Sequence, residues 1–186
     1  MKRLILLAVS LAIFAPVLHA QNHGEAGVFA DYFRLQTAPQ DFGGIGARIS
    51  INVHPNIAAE ADGAYDFERS RTQLISSGGI SSTFRSNFRI THGLFGAKLQ
   101  WGKKSPVRLF ATAKAGFIRF GVNSGPVTFG NATGGTGQYK AALYPGGGVE
   151  GFWGWIGLRL DVGDEIYFDR GANHNLKVTL GPHIRF

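Results

Sequence analysis

Ionisable side chains recur at every second position along several segments of this 186-residue chain. Because successive side chains of a β-strand point to opposite faces, residues spaced by two share a face, where acids and bases can form ion pairs. The residues predicted to share such an interior face are Glu60, Asp62, Lys98, Arg108, Lys114, Glu150, Arg159, Asp161, Lys177 and Arg185, together with Asp31, Arg48, Asp66 and Lys140. We expect them to fill the interior with ion pairs, and a proton or ion path is the alternative.

A second group of charges consists of four arginines around a polar connector. Arg69, Arg71, Arg85 and Arg89 are accompanied by a single acid, Glu68. The guanidinium group binds phosphate through two parallel hydrogen bonds, so these arginines are candidate contacts for lipopolysaccharide phosphates. A solvated connector whose arginines bind nothing specific is the alternative.

The sequence offers little for catalysis. Acyl transfer needs a nucleophile, a base and an orienting acid, yet the inward-facing His92 and His183 lie in no such pattern. The chain has no cysteine and no His-Glu-x-x-His motif, so neither a metal site nor a cofactor is predicted. Its positive charges form no stripe, which argues against nucleic acid as a partner. We expect no enzymatic activity.

The first twenty residues have the composition of a secretory signal peptide. Lys2 and Arg3 precede an apolar stretch, and a small residue, Ala20, stands before the expected cleavage at Gln21. Its removal lowers the formal charge from +7 to +5. An uncleaved membrane anchor is the alternative, although the apolar stretch is short for a helical span. Residues 21–186 then form the mature domain.

The mature chain alternates between apolar and polar residues and predicts eight strands. The clearest strand ends the chain, with Leu176, Leu180 and Ile184 on one face and Lys177 and Arg185 on the other. The predicted strands are 27–34, 45–53, 57–68, 95–101, 105–117, 139–150, 156–162 and 176–186. Their connectors alternate between short turns and the longer segments 35–41, 69–87, 121–137 and 169–173. Transmembrane β-barrels show the same asymmetry.

Aromatic residues predict two belts, one at each end of the strands. Trp101, Trp153, Trp155 and the terminal Phe186 flank the short turns, and a second set marks the other end, including Phe33 and Tyr167. Such rings prefer the headgroup level of a bilayer. The prediction is an all-β fold, a closed eight-stranded antiparallel up-and-down transmembrane β-barrel with its apolar face toward lipid. A lipocalin-like barrel with an apolar interior is the alternative.

The last third of the chain carries a resemblance to a known family. The segments 144–150, 157–165 and 175–186 resemble the eight-stranded outer-membrane β-barrels of the OmpA/OmpX type, in the form encoded by acidobacteria. The resemblance implies periplasmic termini and a C-terminal strand, ending in Phe186, that is read by the barrel-insertion machinery. It also implies a monomer among outer-membrane lipid and lipopolysaccharide, which stabilises the envelope or binds a ligand through its external loops. A narrow porin-like channel and a lipid A-modifying enzyme are the alternatives.

Overall fold

A computed structural model describes residues 23–37, 39–77, 80–102, 105–123 and 137–186, with the backbone alone for 68–77, 80–88, 122–123 and 137. The predicted signal peptide, residues 1–20, lies outside the described residues, as does most of the predicted connector 121–137. No helix of the described part is long and apolar enough to cross a membrane.

The described chain folds into antiparallel strands that close on themselves. They are β1 (Gly24–Leu35), β2 (Gln40–His54), β3 (Ile57–Ser77), β4 (Ile80–Trp101), β5 (Val107–Asn123), β6 (Gly137–Trp153), β7 (Ile156–Asp164), β8 (Ile166–Phe168), β9 (Ala172–Asn173) and β10 (Asn175–Arg185). From β1 to β7 each strand pairs with the next along the chain, β10 pairs with both β7 and β1, and β8 pairs with β6 and β9. The short strands β8 and β9 extend β7 and β10. The predicted eight-stranded up-and-down barrel is therefore confirmed.

The register around the wall fixes the tilt of the strands. A path through directly opposed residues leads from Phe33 once around the barrel to Asn52, whose N–H donates to the carbonyl of His23 at 2.9 Å. The path passes through Lys177, Gly163, Gly146, Thr112, Lys98 and Ala58. It returns to β1 ten residues before its start, which corresponds to strands tilted by roughly 40°. A barrel of eight strands is only wide enough to be filled by side chains.

The alternation in sequence places apolar side chains on the outside of the wall. In β10, Lys177, Thr179 and His183 are buried, whereas Leu180 and Ile184, on the opposite face, are exposed. Ile49, Phe95 and Leu109 are 53%, 64% and 61% exposed on other strands. A continuous apolar exterior of this kind is unsuited to water and suited to hydrocarbon. The lipocalin-like alternative, which needs an apolar interior, is wrong.

The two ends of the barrel differ in their connections. The near end carries His23, Phe186 and the three tight turns, and the opposite, far end carries the β3–β4 hairpin. Trp101, Trp153 and Trp155 are exposed on the outer surface at the near end, as the aromatic belt requires. Gly154 allows the tight β6–β7 turn because it adopts a positive φ of 66°.

The far-end belt is smaller than predicted. Tyr32, Phe67 and Tyr139 are exposed on the outer surface, but Phe33 and Tyr167 are buried inside the barrel. They belong to an apolar cluster of the far lumen with Phe42, Ile90, Leu94, Ile118, Ala142 and Tyr144. The prediction for Phe33 and Tyr167 is wrong. It considered only their position near the far end of a strand and not whether their side chains point toward the lumen or toward lipid.

The prolines interrupt two ladders without shifting the register. The β1–β10 ladder lacks the rungs at Val28 and Phe29, opposite Pro182 and Gly181, and resumes with the same register. The ladder from β6 to β7 and β8 behaves in the same way at Pro145. Each proline lacks an N–H for the ladder, but no residue is inserted, so neither proline marks a bulge.

The predicted connector 69–87 is largely a hairpin. β3 continues to Ser77 and β4 begins at Ile80, so the two longest strands pair beyond the rest of the wall. A register shift between Asp66 and Arg69 separates this extension from the part of the β3–β4 ladder that lies within the wall. Polar residues can continue an antiparallel ladder outside lipid because both faces meet water, so composition alone suggested a loop.

Candidate functional site

The middle of the lumen holds a charge-balanced network, which we call the central network. Its inward side chains come from β1 to β7 because the polar half of each alternating strand must face away from lipid. The carboxylates are Glu25, Glu60, Asp62, Glu150 and Asp161, and the cations are Arg48, Lys98, Arg108, Lys114 and Arg159. Glu60, Lys98, Glu150 and Asp161 have no exposed surface. Five negative groups thus face five positive ones in the described lumen.

Arg159 is the centre of the central network. Its Nη1 and Nη2 lie 2.6 and 3.0 Å from the two carboxylate oxygens of Glu60, a two-pronged pair across the lumen. The same guanidinium donates to Glu150 at 3.2 Å and to Asp161 at 2.8 Å. Its Cζ lies 3.9 Å from the ring centre of Phe110, so the face of the guanidinium is also covered. One side chain therefore links three carboxylates from three strands.

Two lysines and two further arginines complete the ion pairs that cross the lumen. Lys98 Nζ lies 2.6 Å from Glu25 and 2.9 Å from Glu150. Lys114 Nζ lies 2.6 Å from Glu60 and 2.5 Å from Asp62. Arg48 Nε donates to Asp62 at 2.8 Å, and Arg108 Nη1 to Glu25 at 3.4 Å. Ion pairs thus connect opposite sides of the wall and occupy the path along the barrel axis.

A second group, which we call the far cluster, lies toward the far end and consists of Asp31, Asp66, His92, Glu165 and Lys177. His92 Nδ1 lies 2.6 Å from Glu165 Oε1, and His92 Nε2 lies 3.0 Å from Asp66 Oδ2. Lys177 Nζ contacts Glu165 at 2.9 Å and Asp31 at 3.1 Å. The ring of Phe33 meets that of His92 edge-on at 5.0 Å, so the cluster borders the apolar residues of the far lumen.

Comparison with solved structures identifies the architecture. Ail, the attachment invasion locus protein of Yersinia pestis, is 13% identical over 88% of this chain and 97% of its own, with a TM-score of 0.50. Neisserial surface protein A is 12% identical over 88% and 96%, with a TM-score of 0.55. OprG from Pseudomonas aeruginosa is 10% identical over 89% and 97%, with a TM-score of 0.53. The chain has the fold of the OmpA/OmpX-type eight-stranded outer-membrane β-barrels. No family model and no curated protein matches the sequence.

Most of the predicted inward charges of this OmpA/OmpX-type barrel lie in one of the two groups, but two lie at its rims. Arg185 is partly buried at the near end, and its Cζ lies 4.7 Å from the ring centre of Phe152. It has no ion pair among the described residues. It stacks on an aromatic ring instead of joining the predicted network. Lys140 pairs with Asp169 at 3.0 Å, and both are partly exposed at the far end.

Two carboxylates of the lumen were missed by sequence reasoning. Glu25 lies an even number of positions from Asp31 on β1, so parity alone would have placed it inside. Glu165 has the parity of Asp161, so continuous alternation from Asp161 would have placed it inside as well. The register is in fact continuous there, and Glu165 has no exposed surface.

The candidate phosphate contacts do not form one exposed set. Arg69, Arg71 and Arg85 lie on the hairpin, where the backbone places Arg71 opposite Ser86 and Arg85 opposite Thr72, on adjacent rungs. Arg89 lies on β4 closer to the middle of the barrel than the other three arginines and is only 5% exposed. A buried Arg89 is unsuited to contact an external phosphate, and the phosphate contacts of Arg69, Arg71 and Arg85 stay a prediction.

The groups required for acyl transfer do not assemble in the described lumen. Ser50 and His183 line one cavity of about 10 Å³, roughly the space of one water molecule. Neither the Ser50 hydroxyl nor either ring nitrogen of His183 has a hydrogen-bond partner, so these residues form no nucleophile–base pair. His92 is bonded to two carboxylates and to no hydroxyl.

Proposed function

We propose that this barrel is a non-enzymatic outer-membrane protein whose lumen is closed and whose external hairpin is its binding surface. The observation that carries the first part is the central network. Arg159, Lys98 and Lys114 connect carboxylates from opposite sides of the wall at 2.5–3.2 Å, and their side chains are at most 3% exposed. A conducting path would have to break several of these buried ion pairs at once, at a cost of several kcal/mol.

Planar-bilayer recording tests the closed lumen. The purified full chain, inserted into bilayers, is expected to produce no discrete conductance steps at neutral pH. A matched variant in which the central crossing is shortened, Arg159→Ala with Glu60→Ala, preserves charge balance and should raise the frequency of small steps. Regular steps in the unaltered protein would favour the porin-like channel and contradict the proposal.

The length of the β3–β4 hairpin supports the second part of the proposal. β3 has 21 residues and β4 has 22, against 9 to 17 for the other strands that form the wall, apart from the short β8 and β9. The extension carries Arg69, Arg71 and Arg85, whose guanidinium groups suit phosphate or sulfate. One solved structure with this fold is Ail in complex with the heparin analogue sucrose octasulfate, so a barrel of this kind can present an anion-binding surface.

We infer that the β3–β4 hairpin faces outward from the cell and that both termini, at the opposite end of the barrel, face the periplasm. Lipopolysaccharide phosphates then lie beside the hairpin at the membrane surface. The C-terminal strand, ending in Phe186, is the segment that the barrel-insertion machinery would read. We expect the chain to act as a monomer because, within the wall, the sheet closes on itself and leaves no free edge for pairing.

A triple variant tests the anion surface. Replacing Arg69, Arg71 and Arg85 with Gln should weaken retention on immobilised lipopolysaccharide by about tenfold and flatten its dependence on salt. The matched control replaces Arg34, Lys140 and Arg170 with Gln. These three cations are also at the far end, so the control removes the same charge from other strands. Equal loss in both variants would indicate only non-specific attraction and contradict the assignment to the hairpin.

A further inference from the structure

The far cluster is not balanced in charge, in contrast to the central network. Asp31, Asp66 and Glu165 face a single lysine, Lys177, and their side chains are at most 5% exposed. With a neutral His92 imidazole the described cluster carries a formal charge of −2, and a proton on His92 leaves −1. Uncompensated charge in a buried site is unfavourable, so the cluster favours either a further proton or a bound cation.

Two carboxylate oxygens of the far cluster have no partner. Asp31 Oδ1 and Asp66 Oδ1 are buried and make no hydrogen bond. Ligand atoms of Asp31, Asp66 and His92 all lie within 4.8 Å of one another. Three atoms at ~2.0–2.2 Å from a common ion lie up to about 4 Å apart. Small rotations of the side chains would therefore bring all three to one ion.

Glu165 occupies the position that orients a metal-binding imidazole. If His92 Nδ1–H donates to Glu165 Oε1 at 2.6 Å, the lone pair of Nε2 is directed to the side of Asp66, 3.0 Å away. Imidazole ligands of metals usually donate their other N–H to a carboxylate in this way. Lys177 in turn holds both Glu165 and Asp31 through contacts of 2.9 and 3.1 Å.

We propose that Asp31, Asp66 and His92 bind one divalent first-row transition-metal ion, with Glu165 positioning the imidazole. A mixed set of two carboxylates and one imidazole suits Zn²⁺, Mn²⁺ or Fe²⁺, whereas Ca²⁺ prefers oxygen ligands alone. The charge of the ion brings the far cluster from −2 to neutrality. The ligands come from β1, β3 and β4, so the ion connects three strands within the far lumen.

The barrel contains its own negative control. Ligand atoms of Glu25, Glu150 and His183 also lie within 4.8 Å of one another. There, however, Lys98 already lies 2.6 Å from Glu25 and 2.9 Å from Glu150, within the neutral central network. A divalent ion would give that network a charge of +2 and would compete with the lysine. The same ligand types are therefore expected to bind metal at the far cluster alone.

Metal content after refolding tests the proposal. The full chain is refolded into detergent micelles with equimolar Zn²⁺, because apolar side chains such as Phe33 border the cluster and slow entry into the folded barrel. After a brief EDTA wash and desalting, the unaltered protein and His183→Gln should retain roughly one zinc per chain. His92→Gln and Asp66→Asn should retain about tenfold less or lower still. The mobility of unheated samples on gels verifies that each variant has folded.

A spectroscopic measurement on the unaltered protein covers the case in which the variants do not fold. With Co²⁺ in place of Zn²⁺, proton NMR should show one strongly shifted, exchangeable imidazole N–H, the Nδ1–H donated to Glu165. Absence of that signal together with no retained zinc would overturn the proposal and indicate that His92 is an imidazolium between Asp66 and Glu165. Equal zinc in His92→Gln and His183→Gln would overturn it as well.

Discussion

The substitution Arg159→Met tests whether the central network stabilises the barrel. Methionine preserves much of the side-chain volume beside Phe110 but removes the charge, so the described network changes from neutral to −1. Each orphaned carboxylate retains another partner: Glu60 keeps Lys114 at 2.6 Å, Glu150 keeps Lys98 at 2.9 Å, and Asp161 keeps the Tyr144 hydroxyl at 2.7 Å. Breaking a buried pair costs about 3–5 kcal/mol, and these remaining partners place the expected loss near the lower limit, ~3 kcal/mol.

Urea unfolding in lipid vesicles measures this loss. The tryptophans at the near end report unfolding by fluorescence, and linear extrapolation gives the free energy of unfolding. A loss of ~3 kcal/mol lowers the folding equilibrium constant by about a hundredfold. The double variant Arg159→Met with Glu60→Gln restores neutrality and should recover part of the loss, roughly 1–2 kcal/mol.

The control for Arg159→Met is Lys140→Met, which removes a partly exposed ion pair at the far rim and should cost at most about 1 kcal/mol. If Arg159→Met costs no more than this control, the central network fills the lumen without stabilising it. A double variant no more stable than Arg159→Met would show that net charge is not the reason for the loss.

Two further predictions concern the lipid-facing wall and the closure of the barrel. Ile49, 53% exposed at mid-height on β2, faces hydrocarbon, so Ile49→Arg should cost ~2–4 kcal/mol in vesicles, whereas Val53→Arg, near the near end, should cost at most about 1 kcal/mol by the same urea assay. Deletion of Phe186 removes the backbone bonds from His23 and Gly24 to its carbonyl, at 3.0 and 2.9 Å, and the ring beside Gly24, so the yield of heat-modifiable barrel in cells should fall. Replacement of Phe186 with Tyr should preserve the yield, and equal yields for the deletion and the unaltered chain would contradict a role for the last residue.

The wall was predictable because lipid and lumen impose opposite polarity on successive residues. In β10, Leu180 and Ile184 alternate with Thr179 and His183, and this pattern alone assigns the faces. Outside the membrane the constraint disappears. Residues 69–77 and 80–88 form a ladder whose residues are mostly polar, and their composition resembles that of a loop. The length of the hairpin was therefore not predictable.

The division of the inward charges into two groups could not be predicted from the sequence either. Glu60 and Arg159 are 99 positions apart and meet only because of the register around the whole barrel. A list of inward charges from individual strands is nearly balanced, and it gives no reason to separate Asp31 and Asp66 from Glu60 and Asp62. Whether a carboxylate meets a lysine or another carboxylate depends on its height along the axis, which follows from the tilt and stagger of the strands.

The distribution of charge along the axis separates stability from binding in the described lumen. At mid-height, surrounded by hydrocarbon, each carboxylate faces a cation, and any added ion would unbalance a set that is already neutral. Toward the far end, Asp31, Asp66 and Glu165 exceed the available positive charge, and Asp31 Oδ1 and Asp66 Oδ1 have no partner. If the charged side chains only filled space, we would expect positive and negative charges to balance at both heights along the barrel axis. The imbalance at one level, beside a histidine already oriented by a carboxylate, is what a site for a cation requires.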